Sequence, residues 1–206
     1  VLALALASML NNKDLRGKGF FRTCIFLPCA TSLVSYSMIF RSMFANDGFI
    51  NTVLRAVGAS PIMWFSNAWT ARIVIFIALE WRWTVYNMVF YLSCLQNIEY
   101  SVYEAAKIDG ASPLQTFFKI TVPLLKPTIL LTTITSTNGT LQLFDESFIL
   151  TGGGPDNATI TIGHYLYNTG FSYYKFGYAA ALSYALVIII GILSILQFKF
   201  TKGGED

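Results

Sequence analysis

The sequence predicts an all-α, polytopic membrane helical bundle. Three observations carry this expectation. Mean hydropathy is +0.55, 54% of residues are hydrophobic and only 12% are charged; soluble domains carry about 25% charged residues. Four long apolar stretches, at about 24–44, 71–95, 127–150 and 176–198, each approach or exceed the roughly 20 residues a helix needs to cross a bilayer. The basic residues are also distributed unevenly between the segments that join these stretches.

Taken in order, residues 1–10, VLALALASML, are apolar but too short to span. No basic n-region or small-residue cleavage site accompanies them, which argues against a signal peptide. They read as the C-terminal half of a helix that begins upstream. The stretches 24–44 and 71–95 read as complete spans. The third, 127–150, is the least hydrophobic and carries several Thr, Ser, Asn and Gln residues. A span that polar should face other helices or a wet path rather than lipid. The fourth, 176–198, is apolar and contains Gly177, Ala180, Ala181, Ser183 and Ala185, which permit close helix approach within this chain or to a partner.

Orientation follows from Lys and Arg. Nine lie on one side: Lys13, Arg16, Lys18, Arg22, Lys107, Lys119, Lys126, Lys199 and Lys202. Four lie on the other: Arg41, Arg55, Arg72 and Lys175. Arg82 lies within a span. The side with nine is predicted to be cytoplasmic. The net charge of +3 is therefore a topology signal, and no basic tract argues for nucleic acid.

On the basic side lies Glu104 to Pro123, EAAKIDGASPLQTFFKITVP. Glu104 to Ile108 are mostly good helix formers. Gly110 can take the left-handed conformation that ends a helix. Ser112 is placed as an N-cap, Pro113 as the first helical residue and Gln115 as the other half of a capping box. Leu114, Phe117, Phe118 and Val122 give the second short helix one apolar face. Pro123 and Pro127 end it before the next stretch. Local pattern alone permits a surface hairpin that merely ties two spans together.

The spacing E-A-A-x-x-x-G, nine residues, then I-x-V-P resembles the EAA loop of binding-protein-dependent ATP-binding-cassette (ABC) importer permeases. Beyond the loop, FRTCIFLP from Phe21, NMVFYLSCLQNIEYSVYEAAKIDGA from Asn87, LFDESFILTGGGPDNAT from Leu143 and FGYAAALSYAL from Phe176 are similar to the carbohydrate permeases of this family. The relevant subgroup contains the maltose, lactose and glycerol-phosphate permeases. Glu99 departs from a usual Pro before the loop, and Val122 replaces a commoner Leu.

The resemblance implies one permease domain over 1–206, with a cytoplasmic coupling loop at about 97–126, and about six spans in the intact protein. It implies a bacterial cytoplasmic-membrane location, a second homologous permease, an ABC ATPase dimer, an extracytoplasmic solute-binding protein and a sugar or oligosaccharide cargo. The ATPase-coupling residues would be Glu104, Ala105, Ala106, Asp109, Gly110, Ile120 and Pro123. Glu104 would meet a basic group of the ATPase, or else would be a solvated charge favoured by a helix start. The chain itself is expected to bind no cofactor and to catalyse nothing. Gly152, Gly153 and Gly154 run into Pro155 without the Lys-Ser/Thr pair of a phosphate loop, so ATP and Mg2+ would belong to the partner ATPase.

Polar groups inside spans are costly and mark cavities or helix contacts. The candidate path residues are Asn87, Asn138, Gln142, Asp145 and Tyr184, within a wider set that includes Glu80, Arg82, Tyr86, Thr133, Ser136, Glu146 and Ser183. Glu80 and Arg82 are two residues apart, share no helix face and need separate partners. Trp81, Trp83, Tyr86, Phe144 and Tyr184 suit sugar rings and equally suit packing. Cys24, Cys29 and Cys94 read as small buried hydrophobes with no metal-like spacing. His164 is read as part of an external loop helix without a Ser, Cys or carboxylate arranged as a catalytic partner, and is given no catalytic role. Two other readings stay open: a glycerol-phosphate or other polar-solute permease, for which Arg82 offers little cationic pocket, and an ATPase-independent secondary transporter or membrane enzyme.

Overall fold

The computed structural model describes residues 1–11, 19, 23 and 31–202; the first 2 cysteines and residues 203–206 lie outside the described set. Its elements are helices α1 (Leu2–Asn11), α2 (Leu33–Met43), α3 (Phe49–Ala56), α4 (Ala68–Gln96), α5 (Tyr100–Ile108), α6 (Pro113–Thr116), α7 (Val122–Leu124), α8 (Lys126–Leu141), α9 (Ile162–Tyr167) and α10 (Phe176–Lys202). Three wider, π-helical turns sit at Phe117–Thr121, Glu146–Thr151 and Asn168–Ser172.

Two of the expected spans are single helices. Ala68–Gln96 contains no Gly or Pro and, at 29 residues, is about 44 Å long. Phe176–Thr201 is the more apolar of the two. The other two expectations need correction. Of 24–44, residues 24–30 lie outside the described set, and the described helix starts at Leu33, where the Ser32 hydroxyl accepts the Ser35 N–H as an N-cap. The stretch 127–150 is not one helix. Helix α8 stops at Leu141, residues 142–144 leave the helical path, and a π-helical turn resumes at Glu146. The polar composition and Gly139 weaken this segment, and a carbonyl acceptor freed at Leu143 is taken by the Thr161 hydroxyl at 2.5 Å. The segment Pro113–Leu124 and helix α8 together are long and apolar enough for one membrane span, bent by 69°.

The chain forms two compact units. The first comprises Val1–Cys29, Trp83–Ser136 and Ser194–Asp206. Its core joins Ala3, Ala7 and Leu10 of α1 to Met88, Tyr91, Leu92 and Leu95 of α4 and to Leu125, with Cys94 packed alongside as a partly buried hydrophobe. The second comprises Ala30–Arg82 and Thr137–Leu193. Its core joins Tyr36, Phe40 and Phe44 to Val74, Ile75 and Ala78 of α4 and to Leu143 and Leu150. Three of the four crossings between units fall inside continuous helices α4, α8 and α10, so neither unit is separable along the sequence.

Candidate functional site

The hairpin between α4 and α8 is set by its caps. Glu99 has φ −60° and ψ 135°, a conformation proline also favours, so the bend forms without the proline. Helix α5 ends in a Schellman motif. The Ala111 N–H donates to the Ala106 carbonyl at 3.0 Å and the Gly110 N–H to the Lys107 carbonyl at 3.2 Å. Gly110 has φ +75°, and a Cβ built on it would meet nothing within 4 Å. Its glycine is thus demanded by backbone conformation and not by crowding inside this chain. The capping box also forms. The Ser112 hydroxyl accepts the Gln115 N–H at 3.3 Å, and the Gln115 side-chain Oε1 accepts the Ser112 N–H at 2.8 Å.

Within this frame Glu104, Ala105, Asp109, Gly110 and Pro123 are exposed and Ile120 is half-buried. Ala106 is buried inside this chain. Three large apolar side chains stand out from the hairpin: Ile108, Leu114 and Phe118, at 85%, 71% and 64% exposure. Leu114 and Phe118 are four residues apart, and Phe117 meets Phe118 edge to face. The predicted apolar face is therefore split, with half of it turned outward.

In the first unit, α4 and α8 share two levels of polar contact. Asn87 donates from Nδ2 to Ser136 Oγ at 2.9 Å, and Ser136 returns its proton to Asn87 Oδ1 at 3.2 Å. Tyr91 and Thr132 hydroxyls lie 2.7 Å apart. Thr132 also lies 2.9 Å from the Thr128 carbonyl and 3.0 Å from that of Ile129, so its one proton is directed into its own helix and Tyr91 is the donor across the gap. Asn87 is thereby accounted for as a helix–helix contact.

The second unit holds a charged cluster. Glu146 is fully buried, with Oε1 accepting from the Tyr36 hydroxyl and lying 3.3 Å from Arg82 Nη1. Its Oε2 has no hydrogen-bond partner among the described residues. The Tyr36 ring stacks on Trp81 and meets Phe40 edge to face. Arg82 and Glu146 thus answer one another. Glu80, two residues away, lies on an exposed position, as the helical spacing requires.

Sequence reasoning missed two further hubs. Buried Asn51 donates to the carbonyls of Ala45, Asn46 and Ile62 and accepts from the Ile62 N–H and the Trp64 indole, fixing the 45–64 segment. His164, read as lacking a catalytic partner, is buried with Nδ1 2.7 Å from Ser147 Oγ. The Ser147 hydroxyl donates to the Thr159 carbonyl at 2.7 Å, so it accepts from His164 and the imidazole is the Nδ1–H tautomer. That geometry consumes the serine proton in a structural bond. Burial alone pushes the His164 pKa below its usual range. No local pattern announces either hub, because both partners are distant in sequence or carried by backbone carbonyls.

Among the remaining path candidates, Asn138 and Asp145 are half-buried and Gln142 is exposed. Tyr184 stands 74% exposed on α10, as do the small residues Gly177, Ala180, Ala181, Ser183 and Ala185 around it. Phe144 is engaged by Phe148, His164 and Tyr167.

Residues 1–200 match the family model described as "Binding-protein-dependent transport system inner membrane component". The chain belongs to this family. Among similar members, the lactose transport system permease protein LacF of Rhizobium radiobacter is 54% identical over 202 residues, covering 96% of this chain and 68% of that protein. The arabinooligosaccharides transport system permease protein AraP of Halalkalibacterium halodurans is 36% identical, over 97% of this chain and 64% of that one. The chain thus spans about two thirds of the length of these family members. A crystal structure of a bacterial ABC transporter involved in alginate import shares the fold, with a TM-score of 0.87 at 21% identity, over 98% of this chain and 71% of that chain. As an inner-membrane component, this permease domain is a multi-pass helical membrane protein.

Proposed function

We propose that this chain is a translocating subunit of an importer that carries a neutral sugar or oligosaccharide across the cytoplasmic membrane. An extracytoplasmic binding protein delivers the cargo, a second related permease completes the path, and a separate ABC ATPase dimer docks on the hairpin between α4 and α8. The observation that carries this reading is the hairpin itself. It is rigidly capped at Gly110 and Ser112, yet it leaves Ile108, Leu114 and Phe118 uncovered beside exposed Glu104 and Ala105. Large apolar side chains left exposed beside polar ones on a capped hairpin fit a protein contact. The excess of basic residues on the hairpin's side supports a cytoplasmic position for it. Relatives named for lactose and arabinooligosaccharide transport support a saccharide cargo. The pairing of Arg82 with Glu146 disfavours an anionic one such as glycerol-phosphate, since the guanidinium already has its counter-charge.

Two substitutions at Gly110 test the reading. Gly110→Val strains the positive-φ turn, and Gly110→Asn tolerates it while adding a side chain. Both should reach the membrane. Val should abolish co-purification of the ATPase, and Asn should retain the turn but weaken docking if the surface must be bare. Wild-type ATPase recovery and sugar uptake in Gly110→Val would sink the assignment of this hairpin.

A further inference from the structure

We propose that the Asn87–Ser136 and Tyr91–Thr132 contacts form a clasp that makes the two helices flanking the coupling hairpin move as one body. This rests on the coupling role proposed above, but the clasp itself is a property of α4 and α8. Asn87 and Tyr91 are four residues apart on α4, and Thr132 and Ser136 are four apart on α8. Each pair lies on one helix face, so the two contacts form the rungs of an antiparallel ladder. Leu95 and Leu125, both members of the first core, lie nearer the hairpin in sequence.

Without rungs, the axial register of the two helices rests on side-chain packing alone, because lipid tails are as apolar as the side chains and supply no hydrophobic drive between helices. A force applied at the hairpin would then slide one helix along the other. The period of the ladder defines where they would stop. A displacement of one turn, about 5.4 Å, brings the Tyr91 hydroxyl opposite Ser136. Both rungs together exist only in the observed register, so Asn87, Tyr91, Thr132 and Ser136 act as positioning residues for coupling.

The test measures register directly and needs no knowledge of the cargo. Spin labels are placed at exposed Ser93 on α4 and exposed Leu131 on α8, with Cys24, Cys29 and Cys94 replaced, in the complex purified in lipid nanodiscs. The wild-type pair should give one narrow distance distribution that ATP and vanadate leave unchanged. Adding Asn87→Ala with Thr132→Val should broaden it toward a displacement of about one turn, 5.4 Å. With Thr132→Val retained, the swap of Asn87→Ser with Ser136→Asn should restore the narrow distribution by rebuilding one rung. A distribution equally narrow in the Asn87→Ala, Thr132→Val variant, or a wild-type distribution that shifts with nucleotide, would overturn the clasp. Loss of the coupling reading shows up separately, as absence of ATPase from the wild-type complex, while the nucleotide-free distributions still decide the clasp.

Discussion

The unit built on the hairpin and the unit built on the Gly-rich loop treat buried polar groups differently. The first uses neutral partners in matched pairs: Asn87 with Ser136, Tyr91 with Thr132. Each of these four side chains is hydrogen-bonded across the gap, and no charge is desolvated. The second buries a carboxylate completely and sets against it one guanidinium and one phenol. Neutral rungs contribute little individually and set register. A buried ion pair adds little net stability, yet removal of one partner is severe because the other charge is stranded. The difference teaches that sensitivity to mutation need not track contribution to stability.

The largest effect should come from Arg82→Met, which leaves Glu146 uncompensated at a cost of about 3–5 kcal/mol. The solubilised protein should melt at clearly lower temperature. Pairing it with Glu146→Gln should restore most of that loss, because no charge then remains buried. A double variant as unstable as the single would mean that the cluster stabilises by shape and not by charge balance.

A middle-sized effect concerns the polar candidates for the cargo path. Asn87 is consumed by the ladder, while Gln142 is exposed and Asn138 lies one turn before it. Gln142→Ala and Asn138→Ala should each weaken uptake by the equivalent of about 1 kcal/mol, one hydrogen bond, with the complex intact. Unchanged sugar-stimulated hydrolysis and uptake in both would remove them from the path.

The smallest effect is a pH slope. His164 is held neutral by burial, with a pKa below that of the unfolded chain. As pH falls through the unfolded value of about 6.5, the unfolded state takes up a proton that the native state resists, so stability declines on the acid side. His164→Asn should flatten the fall in melting temperature between pH 7.5 and 5.5. An identical slope in wild type and variant would show that other groups carry it.

The legible parts were those written in local pattern. The spans 71–95 and 176–198 are uninterrupted apolar runs, and both are single helices. The hairpin was legible residue by residue, because Gly110, Ser112, Pro113 and Gln115 act on neighbours within a few positions. The breaks were harder. Ser32 is an ordinary N-cap, but a single hydroxyl inside an apolar run barely lowers its hydropathy. The interruption after Leu141 depends on Thr161, which is 18 positions beyond the carbonyl it satisfies. Tyr36 and Glu146 are 110 residues apart, and nothing near either one names the other.

The Gly-rich segment is stitched at several points. Thr161 donates to the Leu143 carbonyl, Ser147 to that of Thr159, and the Thr159 hydroxyl to that of Gly154. The Thr159 N–H meets the Gly153 carbonyl and the Gly153 N–H meets that of Ser147. A Cβ on Gly163 would come within 2.7 Å of the Leu143 carbonyl oxygen. This segment therefore behaves as a strut of fixed length. One inserted or deleted residue would put several of these bonds out of step at once, whatever its chemical nature. An epitope tag or reporter belongs instead near Ser60, where residues 57–61 are exposed throughout.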